Sequence, residues 1–237
     1  MPEELAVRLA EVRERIARAA ARAGRRAEQI TLVGVSKRQP AEAVATLVEL
    51  GLSHCGENFV QEAREKIPRV GALLAAGVPA PRWHFVGRLQ RNKAKLAVQL
   101  FDVVEAVDRI ELAEALATAA AGRTLEVLLQ VNVSAEAQKG GADPEALAPL
   151  VEAVSRLSAL RLVGLMAVPA ASEQPEQTRP AFARLRELRD GLCRSTPGLT
   201  LPELSMGMSA DFEIAIEEGA SIVRVGTALF GARGGRT

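Results

Sequence analysis

Tyrosine is absent, and aromatic residues are scarce: one tryptophan and six phenylalanines in 237 residues. No site built by this chain can use a phenol as an acid or base. Cysteine is almost as rare. Cys55 and Cys193 are far apart and form neither a CxxC pair nor a zinc-ligand spacing, which argues against a disulfide scaffold or a metal site and fits a reducing cytoplasm. Charge of one sign is also missing: thirty basic residues against twenty-nine acidic ones leave a net charge of +1. A general attraction for nucleic acid or anionic lipid has no basis in that balance. No apolar run is long enough to span a bilayer. The opening MPEELAVRLAEVRERIARAAARAGRR carries acidic residues early and an apolar stripe, unlike a signal peptide. Repeats and low-complexity linkers are lacking too. What remains, 48% hydrophobic and 25% charged, is the composition of a soluble globular protein.

Helical and strand-like segments alternate along it. Leu5, Leu9, Val12 and Ile16 recur at helical spacing, and ITLVGVS at 30–36 follows as an apolar β-branched run. A helical pattern runs from Pro40 to Leu50, with Pro40 at the first-turn position. Further strands are expected at 52–56, 82–87, 101–107, 125–133, 161–168, 200–205 and 221–225, separated by stretches rich in Ala, Leu, Glu and Arg. Continuous apolar runs mark buried parallel strands. Eight βα units in this length predict an α/β fold, a single (β/α)8 TIM barrel over 1–237 with an additional N-terminal helix. A doubly wound sheet is the competitor, but GVSK after the first strand is no GxGxxG turn, and GxxxxGK[ST] is absent. The polar connection at 169–180 reads as a lid or as a solvated loop, and the tail at 231–237 is expected to fray.

In a barrel the chemistry lies where strands end at the C-terminal face. Those ends offer Lys37, Glu57, Asn58, His84, Gly87, Glu105, Asn132, Met166, Ser205, Met206, Arg224, Gly226 and Thr227. Lys37, directly after an apolar strand, borders the barrel mouth. Burial there would favour a neutral amine, as imine formation with an aldehyde requires; a lysine snorkelling to water is the plainer reading. The strand break at Gly226-Thr227 offers backbone N–H groups and a hydroxyl as a phosphate seat, with Ser205, Gly207 and Ser209 nearby; a mere tight turn would need the same glycine. His84 is expected to be half-buried beside Trp83 and structural, Cys55 a small buried hydrophobe, and Met166, Met206 and Met208 core or pocket wall. The basic run GRLQRNKAK at 87–95 reads as a solvated helix start or a local anion site.

Seven motifs stand in order at those ends: VSK with Lys37, GENFVQE at 56–62, WHFVGRLQRNK at 83–93, VNVS at 131–134, GLMAV at 164–168, LSMGMSADFEIAIEEG at 204–219 and VRVGTALFGAR at 223–233. Together they resemble the pyridoxal-phosphate homeostasis proteins, the PROSC family, over nearly the whole chain. The resemblance implies a fold-type III barrel, similar to the alanine racemase N-terminal domain, holding pyridoxal 5′-phosphate (PLP). It implies Lys37 as the Schiff-base lysine and Arg224 facing the pyridine nitrogen. Gly226 and Thr227 match the phosphate turn, Ser205 or Ser209 would be a further phosphate donor, and Asn58 and Met206 would border the cofactor. Two positions depart from the pattern: Arg88 stands where proline is common, and Gly140 replaces a serine of a KSG loop. Both concern the rim.

The resemblance also implies a function without turnover: buffering and delivery of PLP, with indirect effects on amino-acid balance and no catalytic residue of its own. The alternative is a PLP-dependent amino-acid racemase. Racemases of this fold use a lysine on one face and a tyrosine on the other, and carry a further β-domain after the barrel; this chain has no tyrosine and stops soon after its eighth strand. An arginine at the pyridine nitrogen would also weaken the ring as an electron sink. An imine-forming aldolase could use Lys37 and a phosphate seat but leaves the seven motifs unexplained. Expected partners are PLP and PLP-dependent apoenzymes, with no nucleic acid and no membrane, for a cytoplasmic monomer or weak dimer.

Overall fold

Apolar runs without a polar face are satisfied only in a sheet covered on both sides. In the computed structural model, which describes residues 2–120, 122–134, 140–170, 172 and 174–231, the eight runs form a closed parallel barrel. The strands are β1 (Thr31–Val35), β2 (His54–Glu57), β3 (Arg82–Phe85), β4 (Val103–Val107), β5 (Leu125–Gln130), β6 (Leu160–Met166), β7 (Glu203–Ser205) and β8 (Ile222–Val225). Each pairs with the next, and β1 closes on β8 in the register Thr31↔Ile222 to Gly34↔Val225. Register shifts at Val104/Val107 and Val127/Leu128 bend the wall around β4 and β5.

Helices stand between the strands: α1 (Pro2–Arg22) ahead of β1, then α2 (Ala41–Glu49), α3 (Val60–Leu73), α4 (Ala94–Leu100), α5 (Ile110–Ala119), α6 (Leu147–Ser155), α7 (Arg179–Ser195), α8 (Phe212–Glu217) and α9 (Thr227–Phe230). This is the (β/α)8 barrel with its extra N-terminal helix. Leu5, Leu9, Val12 and Ile16 are the buried stripe of α1, which packs on α2, α8 and α9. Arg15 fastens that packing: its guanidinium reaches both carboxylate oxygens of Glu213 at 2.7 and 2.9 Å and lies 4.5 Å from the centre of the Phe212 ring.

The strands are shorter than the apolar runs that announce them. Leu52 and Ser53 precede β2, and Val131 forms only an isolated bridge to Ala142 after β5, because the run ends already belong to the rims. Pro40 is the extended N-cap of α2 (φ −69°, ψ 151°), not its first helical residue. Of the 169–180 connection, Pro175–Thr178 form a 3-10 turn and Arg179 opens α7. Most of the 231–237 tail lies outside the described residues, as does Lys139. Among the described residues no helix is long and apolar enough to cross a membrane.

Candidate functional site

At the C-terminal mouth of the barrel lies a cavity of about 360 Å³. Lys37, Asn58, Ser209, Arg224, Gly226 and Thr227 all line it, drawn from the ends of β1, β2, β7 and β8. Val35, Val86, Val168 and Met208 supply an apolar wall. Such a mixture, apolar walls with a few convergent polar groups, is what a small-molecule site requires.

The loop carrying Lys37 is held by a buried ion cluster. Lys66 of α3 is 7% exposed, and its Nζ donates to the Ser36 carbonyl, Glu57 Oε1 and Glu62 Oε1, each at 2.6 Å. The Ser36 hydroxyl donates to the same Glu57 oxygen at 2.7 Å. Arg38, on the other side of Lys37, adopts the left-handed backbone (φ 61°), and its N–H donates to Glu62 Oε1 at 2.5 Å. Burial pushes the Glu57 carboxyl up, against the pull of Lys66 and Ser36. Lys37 is thus set between two pinned neighbours.

Opposite, the N–H groups of Gly226 and Ala228 converge on the Ser209 hydroxyl oxygen, each at 3.2 Å. Two amides sharing one oxygen at that length mark a place where oxygen acceptors are held. Just after β2 the Asn58 Oδ1 is buried and finds no hydrogen-bond partner among the described residues. Gly87 explains the position of Asn58: a Cβ there would lie 2.2 Å from the Asn58 carbonyl oxygen.

Arg224 is 4% exposed, and its anchoring is the most elaborate in the cavity. Nη2 donates to the Ala167 carbonyl at 2.8 Å, and Nη1 to the Ser205 hydroxyl at 2.5 Å. Ser205 in turn donates to Glu105 Oε2 at 2.5 Å, and that oxygen lies 3.7 Å from Nη1 of Arg224. Strands β4 and β7 are not neighbours, so this contact crosses the barrel interior. Burial works against the Glu105 charge, but hydrogen bonds and charges from His84, Arg224 and Ser205 together hold its carboxyl below the usual range.

Residues 7–234 match the family described as Alanine racemase, N-terminal domain. The Pyridoxal phosphate homeostasis protein of Aquifex aeolicus is 44% identical over 228 residues, covering 95% of this chain and 97% of its own. That of Pseudomonas aeruginosa is 46% identical over 231 residues, covering 97% and 96%. The chain belongs to this family. PipY of Synechococcus elongatus PCC7942, solved with PLP bound, superposes with a TM-score of 0.82 at 36% identity, covering 96% of this chain and 100% of that one.

In this family member Ser205, the last residue of β7, and Ser209, after it, are placed differently. Ser209 lines the cavity, whereas Ser205 is fully buried beneath it, between Glu105 and Arg224. Met206 is fully buried outside the lining, and Met208 takes the wall position. Asn132 and Met166 are buried away from the lining. His84 is 2% exposed rather than half-buried, because its ring is drawn inward by Glu105. Cys55 is a buried thiol whose pKa burial and Glu57 push up to about 12, which leaves it inert. Arg88, Arg91 and Lys93 border a separate concavity with Arg109, beyond Asn58. Gln39 also lines the cavity, and neither it nor Lys66 stands out in the sequence; the Glu62–Lys66 spacing of four is the one sign of the loop anchor.

Proposed function

We propose that this chain binds PLP through Lys37 as a Schiff base and serves PLP homeostasis by holding and delivering the cofactor, without significant turnover of its own. The observation that carries this reading is the convergence of Lys37, Asn58, Arg224 and the Gly226–Ser209 turn on one cavity of about 360 Å³. The donor set suits the ligand. The amides of Gly226 and Ala228, with the hydroxyls of Ser209 and Thr227, would take the phosphate. The unsatisfied Asn58 oxygen suits a ligand hydroxyl, and Arg224 would face the pyridine nitrogen. When bound, PLP supplies an aldehyde for amine capture and a ring that can disperse charge.

The chain's own residues favour holding over conversion. Arg224, its guanidinium fixed by Ser205 and Ala167, would donate to the ring nitrogen of bound PLP and keep it from taking a proton. With no tyrosine in the chain, no phenol can exchange a proton on the face opposite Lys37. Loss of one of two acid–base partners costs about 10²–10⁴-fold in rate. We place the chain in the cytoplasm as one domain, a monomer or weak dimer, with PLP-dependent apoenzymes as recipients. The test pairs absorbance with turnover. Freshly purified protein is expected to show an imine band that Lys37→Ala abolishes, and to racemise no common amino acid. Turnover on the order of 1–10³ s⁻¹ would replace this reading with the racemase.

A further inference from the structure

The anchor of Arg224 does not stop at Glu105. Glu105 Oε1 lies 2.6 Å from His84 Nδ1, and His84 Nε2 lies 2.9 Å from His54 Nδ1. His54 is the first residue of β2, and it borders a cavity of about 480 Å³ at the opposite, N-terminal face of the barrel. One file of hydrogen bonds, Arg224–Ser205–Glu105–His84–His54, therefore runs through the barrel from mouth to floor. We propose that Glu105, His84 and His54 are positioning residues for Arg224, and that they carry the protonation state of the barrel floor to the pocket at its mouth. This rests on the reading that the pocket holds an anionic pyridine ligand.

The donors fix the direction. Arginine can only donate, so the Ser205 hydroxyl accepts from Arg224 and gives its own proton to Glu105. A carboxylate only accepts, so His84 Nδ1 carries a proton. With a neutral His84, its Nε2 accepts and His54 Nδ1 donates. When water at the floor gives a proton to His54 Nε2, the His54 Nδ1 proton passes to His84 Nε2. One proton has been taken from water, and one positive charge rests on His84, against Glu105. It stays there because burial, the neighbouring His84 and Arg82 push the His54 pKa down to about 4. Glu105 then divides its charge between two cations, leaving Arg224 less neutralised and the mouth more favourable to an anion.

Other charges surround the file. Arg82 on β3 and Asp102 ahead of β4 face the histidines, Arg13 and Glu28 border the floor cavity, and Asp211 ahead of α8 acts on Arg224. None of these interrupts the hydrogen-bonded sequence.

The chain has two histidines, and both belong to this file, so every imidazole signal in a nuclear magnetic resonance titration reports on it. The probe is pyridoxine 5′-phosphate, which lacks the aldehyde and so binds without Lys37 chemistry. The histidine signals of the full-length protein are expected to move together in one step as the pH falls. Saturation with the probe raises the midpoint by roughly 0.5–1 unit, a three- to tenfold preference for the protonated form. In Glu105→Gln the probe still binds and the midpoint no longer moves; Ser205→Ala, the milder change, diminishes the rise. A saturated wild-type protein with an unmoved midpoint overturns the relay, as does a full rise retained in either variant. A wild-type protein that takes up no probe overturns the pocket reading beneath it.

Discussion

Arg38 holds a backbone conformation that side-chain-bearing residues adopt only when their surroundings impose it (φ 61°), and it does so one residue after Lys37. Glu62 imposes it through the Arg38 N–H, and Lys66 holds Glu62, Glu57 and the Ser36 carbonyl together. Lys66→Met would leave the buried Glu57 charge without its main partner. The expected loss is about 3–5 kcal/mol of stability in urea unfolding, together with weaker PLP binding as the Lys37 loop loosens. Unchanged affinity would show that the cluster supports the fold without setting Lys37. Two glycines make separate demands. In Gly87→Ala the new Cβ meets the Asn58 backbone at 2.2 Å, an overpacking expected to cost about 1–3 kcal/mol and to displace Asn58. At Gly226 a Cβ would sit 3.3 Å from the Val35 carbonyl oxygen, so a bulky side chain presses on the end of β1 and disturbs the turn. Gly226→Val is expected to weaken PLP much more than pyridoxal, which lacks the phosphate. Equal losses for both ligands would place the phosphate elsewhere.

Among the elements, β2 joins both ends of the barrel, with His54 at the floor, Glu57 at the mouth and Asn58 just beyond it. Neutral His54 stabilises the fold fully above about pH 6.5, where the unfolded imidazole is neutral too. Between 6.5 and about 4 the unfolded chain binds a proton that folded His54 refuses, so stability falls as the pH falls through that window. The melting temperature is expected to drop across it, and His54→Gln to flatten the slope; an identical slope would mean that other groups dominate. Sequence pattern foretold every strand of the barrel, since each is a short apolar run bounded by helix formers, but not where the strands yield to rim loops. It also brought Lys37, Asn58, Ser209, Arg224, Gly226 and Thr227 to the same mouth. It could not separate Ser205 from Ser209, four residues apart. One is turned beneath the cavity by Glu105 and Arg224, the other meets two amides at the rim. Nothing in the sequence sets Lys66 against Ser36 and Glu57; only folding brings them together. The Glu105–Ser205 and His84–Glu105 contacts span 100 and 21 residues, distances over which no local periodicity speaks.

For the whole molecule, closure of the barrel gathers the Lys37 amine, a pinned guanidinium and a pair of backbone amides at one mouth, and puts a polar file where such barrels carry layers of branched apolar side chains. Holding a reactive aldehyde safely needs an amine to capture it and a ring environment that discourages further chemistry, and on the proposed reading Lys37 and Arg224 would supply them. The central claim is that Lys37 is the amine. Borohydride reduction of the PLP-loaded protein followed by peptide mapping tests it most directly. The account predicts a single labelled peptide, the one that contains Lys37. Label on Lys93 or Lys139, with Lys37 unmodified, would contradict it.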